Sequence, residues 1–454
     1  MKRLILTTIL LLSLITSGFA QEGTDGLGDS LYPQLGNGGY DVQHYTIQLE
    51  FDPTKNFIDA TTTIDAIATE QIATFNLDFS GLEITSLAVN DVDANFSRDG
   101  SELIVTPAQP LMRDEAFTVV VQYNGVPEPI NDAGVPFVRL GWQEWGEGYF
   151  AAVSEPSGSM NWFPTNNHPL DKATFTFEIT VPPLYTVAAN GILTDAIDRR
   201  DGARTFYWSM QSPMAAYLAI VAVGEFEEVR DDDGHIPLRS YFPPQTPQAV
   251  RDAHHDIDDM LVYLANLLGE YPFDVYGVVA VPNFPAALET QTLSIFGAMN
   301  APESTIMHEL VHQWIGNSVT AADWSDIWLH EGFATYFEWL WAEETRGAET
   351  YQSAVNRAMM IGRFMPSPHD PAIENLFGGS VYIRGALVLH ALREEVGDDL
   401  FFEILRDFYQ TYQYSTATTQ DFITVAETVS GEDLTALFDA WLFSDTLPDL
   451  TQGN

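Results

Sequence analysis

The sequence predicts a multidomain α+β protein, with an antiparallel β domain first and a mainly helical domain after it. The chain has 454 residues, 46% of them hydrophobic, enough to build more than one core. From Tyr40 to about Phe226 the apolar residues alternate with period two. Beyond about residue 247 they recur at helical spacing instead.

Taken in order, residues 1–20 read as an export signal. Lys2 and Arg3 are its charged start, and Leu4 to Ile15 form an apolar run too short to span a bilayer. Gly18-Phe-Ala20 places small residues at a cut before Gln21. Residues 21–39 are Gly-rich and polar, and are expected to form a flexible leader. The β domain is set at 40–236. Tyr45 to Phe51, Ala60 to Ala68 and Phe117 to Tyr123 alternate as half-buried strands do. Turn residues at Asp52-Pro53, Arg98-Asp-Gly100, Asn124-Gly125 and Arg200-Asp-Gly202 separate the runs.

A boundary is expected between Asp231-Asp-Asp-Gly234 and Pro243-Pro-Gln-Thr-Pro247, so the second domain is set at 237–454. Thr246 and Pro247 suit an N-cap and first helical position. Ile257, Leu261, Leu264 and Leu268 share one helical face up to Gly269. A short β piece, 275–282, precedes more helices, at 351–363, 380–396, 399–413 and 433–443.

Composition excludes several functions. Cysteine is absent, so disulfides, thiol catalysis and Cys-bound metal are ruled out. The net charge is −45, and Lys2, Lys55 and Lys172 are the only lysines, which argues against nucleic-acid binding. So acidic a surface fits simple solubility or adaptation to high salt. No later stretch is a membrane-span candidate. Oligomeric state is not readable.

One stretch points to chemistry. His308, Glu309 and His312 spell H-E-x-x-H, and Glu331 follows. On a helix the two histidines leave one face a turn apart, which suits two nitrogen ligands of a tetrahedral zinc. Glu309 is placed to act as general base on a water at the metal. Glu331 is the candidate third ligand, leaving an open position as catalytic sites do. Ser304 and Gly316 are the expected start and end of this helix.

Several blocks resemble the M1 family of zinc aminopeptidases. They are His308-Glu-Leu-Val-His312 with Glu331 at the family's gap, Trp328-Leu-His-Glu-Gly-Phe-Ala334, and Val381-Tyr-Ile-Arg-Gly-Ala386. In the first half, Trp162-Phe-Pro-Thr-Asn, Asp171-Lys-Ala-Thr-Phe175 and Pro213-Met-Ala-Ala-Tyr-Leu218 match as well. The resemblance covers roughly residues 40 to 445. It implies a thermolysin-like catalytic domain, one zinc per chain, and peptides with a free N-terminus as substrates. It casts Tyr382 as the oxyanion donor. Glu289, in Ala286-Ala287-Leu-Glu-Thr290, becomes the anchor for the substrate's α-amine, and Ala286 and Ala287 the strand beside the substrate. The family's Gly and Asn are replaced here by Ala286 and Thr290. Glu155 falls where a second amine anchor is expected; otherwise it is an exposed loop carboxylate.

Other residues have plainer readings. His330 stands where the family has Asn, as a partner of a ligand or an exposed helix residue. His254 and His255 read as a solvated helix face. Capping is the default for Asp326, and Tyr336, Phe337, Trp339 and Trp341 read as core. The chain stops where relatives continue into further domains, which implies a more open cleft. Alternatives to a secreted aminopeptidase are an endopeptidase or epoxide hydrolase on the same scaffold, or a non-catalytic binding protein.

Overall fold

The computed structural model describes residues 21–298 and 302–448. The export signal expected at 1–20 lies outside them.

The first half is built on an eight-stranded sheet. Its order is Ile192–Asp198, Arg204–Ala215, Lys172–Val181, Tyr40–Asp52, Phe57–Ala68, Ala116–Gly125, Glu83–Val89, Val92–Asp93. The alternation expected for 45–51 is observed: Tyr45, Ile47, Leu49 and Phe51 are buried while Gln48 and Glu50 face water. Pairing is antiparallel throughout this sheet except between Lys172–Val181 and Tyr40–Asp52, which run parallel. Two four-stranded sheets complete this half.

Residues 23–39 are not a loose leader. Asp29, Tyr32 and Leu35 are buried. Asp29 accepts backbone N–H bonds from Leu31, Tyr32 and Trp324, and faces His168 Nε2 at 3.2 Å. Ser30 donates twice to Asp323. The segment is thus a strap between the β half and the helical half. Composition pointed to flexibility, whereas the hydrogen bonds that order it come from partners far along the chain.

The boundary expected at 236/237 falls inside a hairpin, Glu227–Asp231 with Leu238–Phe242. Its second strand pairs in parallel with Val278–Val281, so the hairpin extends the sheet of the helical half. That five-stranded sheet ends with Val278–Val281, Ser294–Gly297 and, at its edge, Ala287–Leu288.

The helices are α1 (Gln248–Ala253), α2 (Ile257–Leu268), α3 (Glu303–Val311), α4 (Trp328–Arg346), α5 (Ala348–Gly362), α6 (Gly385–Val396), α7 (Asp398–Tyr412), α8 (Thr419–Ser430) and α9 (Thr435–Phe438). Gly269 and Gly347 end α2 and α4 with positive φ, which an L side chain resists. The face predicted for α2 is buried. His254 is not on a solvated face. It lies between α1 and α2, with its ring packed edge-on against Phe296 and tilted against Phe242. Burial pushes its pKa down to about 4. Tyr336 and Phe337 are fully buried and Trp341 nearly so, as core residues.

The two halves are also tied by Lys172. Its ammonium leaves the β sheet and donates to the carbonyls of Asn317, Ser318 and Ser415. Three donors meet three carbonyls, and the first two belong to the turn that follows α3.

Candidate metal and active site

Helix α3 carries the motif. It starts at Glu303 after Pro302, so Ser304 is inside the first turn and is not its cap. His312 closes the helix with its N–H on the His308 carbonyl, and the chain turns through Gly316 at φ 135°. The two imidazoles have ring centroids 4.8 Å apart. Glu331, in the first turn of α4, reaches both: its Oε2 lies 3.1 Å from His308 Nε2 and 3.7 Å from His312 Nε2. The three residues each offer a ligand atom within 4.8 Å of the others.

The outer nitrogens show that this set fits a zinc ion. His308 Nδ1 lies 2.9 Å from Glu338 Oε1, and His312 Nδ1 lies 3.2 Å from the Ile315 carbonyl. Both acceptors place the proton on Nδ1, which leaves each Nε2 lone pair turned toward Glu331. Two neutral nitrogens and one carboxylate, converging with a fourth position open, suit catalytic zinc.

Helices α4 and α6 make the cluster possible. They cross at Gly332 and Gly385, where a Cβ on either would lie 2.8 Å from the other's backbone. Near this crossing lies the wide turn Ser380–Arg384, whose Tyr382 lines one cavity with Glu331. The Tyr382 ring stacks on His308 at 5.8 Å between centroids, and burial raises its phenol pKa, so it stays a donor.

Opposite α3 lies the edge strand Ala287–Leu288, followed by Glu289. The Glu289 carbonyl accepts from Gln313 Nε2 at 3.0 Å and Asn317 Nδ2 at 2.6 Å. The Gln313 side-chain oxygen Oε1 in turn accepts from the Thr292 N–H. Gln313 and Asn317 were not foreseen as site residues; only their nearness to the motif hinted at them. Glu289 Oε1 and Glu155 Oε1 are buried without a hydrogen-bond partner. Glu155 is 4% exposed, so it is not an ordinary loop carboxylate. Glu309 is buried among these carboxylates, and burial pushes its pKa up to about 8.

Ala286, Ala287, Glu289, Glu155, Glu309, Tyr382 and the three ligand candidates all line one cavity of about 140 Å³. A larger hollow of about 490 Å³ on the eight-stranded sheet has Glu50 and Arg199 at its wall, but these pair with each other.

His330 is buried. Its Nε2 accepts the Ala321 N–H at 2.7 Å, so the proton of the neutral ring sits on Nδ1. His330 also comes within 4.8 Å of Glu155 and Glu289. With one nitrogen accepting and the other protonated, the ring has no lone pair left for a second metal. Asp326 does not cap its own helix; it accepts from the hydroxyl and N–H of Thr419 at the start of α8.

Comparison with known proteins agrees with this geometry. Residues 41–218 match the peptidase M1 N-terminal domain and residues 252–441 the peptidase family M1 domain. The M1 zinc metallopeptidase from Deinococcus radiodurans is 33% identical, with a TM-score of 0.88 over 94% of this chain and 98% of that one. A mutant of that enzyme bound to a Tyr-Ser-Ala substrate superposes with a TM-score of 0.87 at 32% identity, over 94% of this chain and all of that one. The chain belongs to the M1 family of zinc metallopeptidases. It is 26% identical to human glutamyl aminopeptidase, over 76% of this chain and 40% of that protein. It is 25% identical to aminopeptidase 2 of Candida albicans, over 69% of this chain and 37% of that protein. The chain therefore spans about two fifths of the curated relatives it matches. No helix among the described residues is long and apolar enough to cross a membrane.

Proposed function

We propose that this protein is an exported zinc aminopeptidase that removes the N-terminal residue from peptides. The observation that carries the reading is the pair of buried carboxylates, Glu289 and Glu155, opposite His308, His312 and Glu331 in one cavity. Two unpartnered carboxylates are costly to bury, and a substrate ammonium supplies the missing partner.

His308, His312 and Glu331 would hold the ion, which would supply a Lewis acid for the scissile carbonyl and for the attacking water. Glu309 takes the proton from the attacking water and delivers it to the leaving amine. Tyr382 donates its phenol hydrogen to the oxyanion that develops at the carbonyl. Glu289 and Glu155 grip the free α-amine, which sets the cut one residue in. The open edge of Ala287–Leu288 pairs with the substrate backbone, with Ala286 leading into it.

The test compares a peptide with its N-acetylated form. Aminopeptidase action requires loss of cleavage on acetylation. Equal cleavage of both forms supports the endopeptidase alternative instead. Export rests on the sequence of residues 1–20, and N-terminal sequencing of the extracytoplasmic protein should begin at Gln21.

A further inference from the structure

The groups that handle the amine and the carbonyl form only part of the cavity wall. Most of the rest is apolar: Val135, Phe137, Val138 and Leu140 come from one loop, and Phe377 from the segment before Tyr382. The loop is firmly built. Ile130 and Leu140 pinch its base with two backbone hydrogen bonds of 2.9 Å. Asp132 braces it from inside, accepting from the Tyr32 phenol at 2.6 Å, the Gly134 N–H at 2.7 Å and the Ser157 hydroxyl. A Cβ on Gly134 would come within 2.5 Å of the Tyr32 oxygen and 2.9 Å of Leu376, so the loop is seated against both the strap and the helical half. Phe137 nonetheless stays 65% exposed at the cavity rim, leaving apolar surface to be covered on binding.

The charged groups lining the cavity are Glu155, Glu289, His308, Glu309, His312 and Glu331. All belong to the amine, metal and proton-transfer machinery. Arg139, the one cation of the loop, is exposed and donates to the Pro129 carbonyl; it does not line the cavity. An acidic side chain entering here meets carboxylates and no cation. The cavity's carboxylates are taken up by the α-amine, the metal and the attacking water, so a lysine tip lying against the apolar wall loses water without gaining a partner.

Building on the aminopeptidase reading, we propose that the 130–140 loop and Phe377 form the recess for the side chain of the substrate's N-terminal residue, and that the enzyme selects apolar and aromatic N-termini. The amine anchors and the reacting carbonyl bracket a single Cα. The side chain on that carbon leaves toward the wall those groups do not occupy, which is the apolar one. The likeness to glutamyl aminopeptidases therefore does not extend to acidic N-termini.

The zinc holoenzyme is assayed with the anilides of leucine, phenylalanine, lysine and glutamate. Values of kcat/KM for leucine and phenylalanine should exceed those for lysine and glutamate by about tenfold or more. A charged anilide cleaved as well as leucine overturns the proposal. Val138→Arg, on a partly exposed loop position, should shift the glutamate-to-leucine ratio toward glutamate by about tenfold. An unchanged ratio also counts against the recess. If no anilide is cleaved, the aminopeptidase reading has failed, and binding decides the recess separately. Calorimetry on Glu309→Gln should then show tighter binding of Leu-Ala-Ala than of Glu-Ala-Ala; equal or reversed affinities overturn it.

Discussion

Glu309 sits one residue after the first ligand candidate, which puts its carboxylate beside the metal position without making it a ligand. Changing Glu309 to Gln keeps the shape of the side chain and removes its capacity to take a proton. Zinc content should stay at one per chain while kcat falls by about 10²–10⁴-fold. Full turnover by that variant would remove Glu309 from the mechanism. Glu289 has a different signature. On the proposed reading Glu289 is an amine anchor, so in Glu289→Ala KM for aminoacyl substrates should rise about tenfold or more with zinc content unchanged. Loss of zinc with unchanged KM would make it a structural neighbour of His312, whose Nδ1 lies 4.0 Å from its carboxylate.

The contact between α4 and α6 decides whether the site assembles. Gly332 and Gly385 face each other with no room for a methyl group, because each would meet backbone and not a flexible side-chain end. Gly332→Ala should force the helices apart, cost about 1–3 kcal/mol of stability, and lower zinc affinity by displacing the adjacent Glu331. Urea unfolding and zinc titration check this; wild-type values for both would show that the crossing tolerates separation. The same crossing shows what a sequence discloses. The H-E-x-x-H turn was legible because a helix fixes the direction of residues four apart. The strand alternation of 45–51 was legible for the same local reason. Glu331 and Tyr382 were legible through motif spacing and block resemblance, since no local rule joins helices so far apart in the chain. The strap at 23–39, the burial of His254 and the 130–140 loop went unseen or were misread. Each is ordered by partners a hundred or more residues away or by packing between elements, as with Asp29 to Trp324 and Tyr32 to Asp132.

Across the whole molecule, charge sets the response to solution conditions. Asp78, Glu102 and Asp171 are buried in the β half, and burial pushes their pKa values up to about 7, 8 and 8. A carboxyl with a raised folded-state pKa contributes stability at low pH that is lost as pH rises through that value. Burial pulls Lys172 down to about 7, which has the opposite sign, but it is one group against three. The melting temperature should therefore fall between pH 6.5 and 8, and Glu102→Gln should flatten the fall. A melting temperature that rises over this window would contradict the assignment. With a net charge of −45, added salt should raise stability by screening self-repulsion. A flat salt response would leave the acidic surface as a matter of solubility.

The central claim is that His308, His312 and Glu331 hold one zinc ion used to cleave an N-terminal residue. Its most direct test is metal analysis of the purified chain coupled to hydrolysis of leucine anilide before chelation, after chelation and after zinc is returned. One zinc per chain, activity lost with the metal and recovered with one equivalent of zinc is the predicted result. Hydrolysis that survives complete removal of the metal, or a zinc-loaded chain that leaves aminoacyl substrates intact, would contradict it.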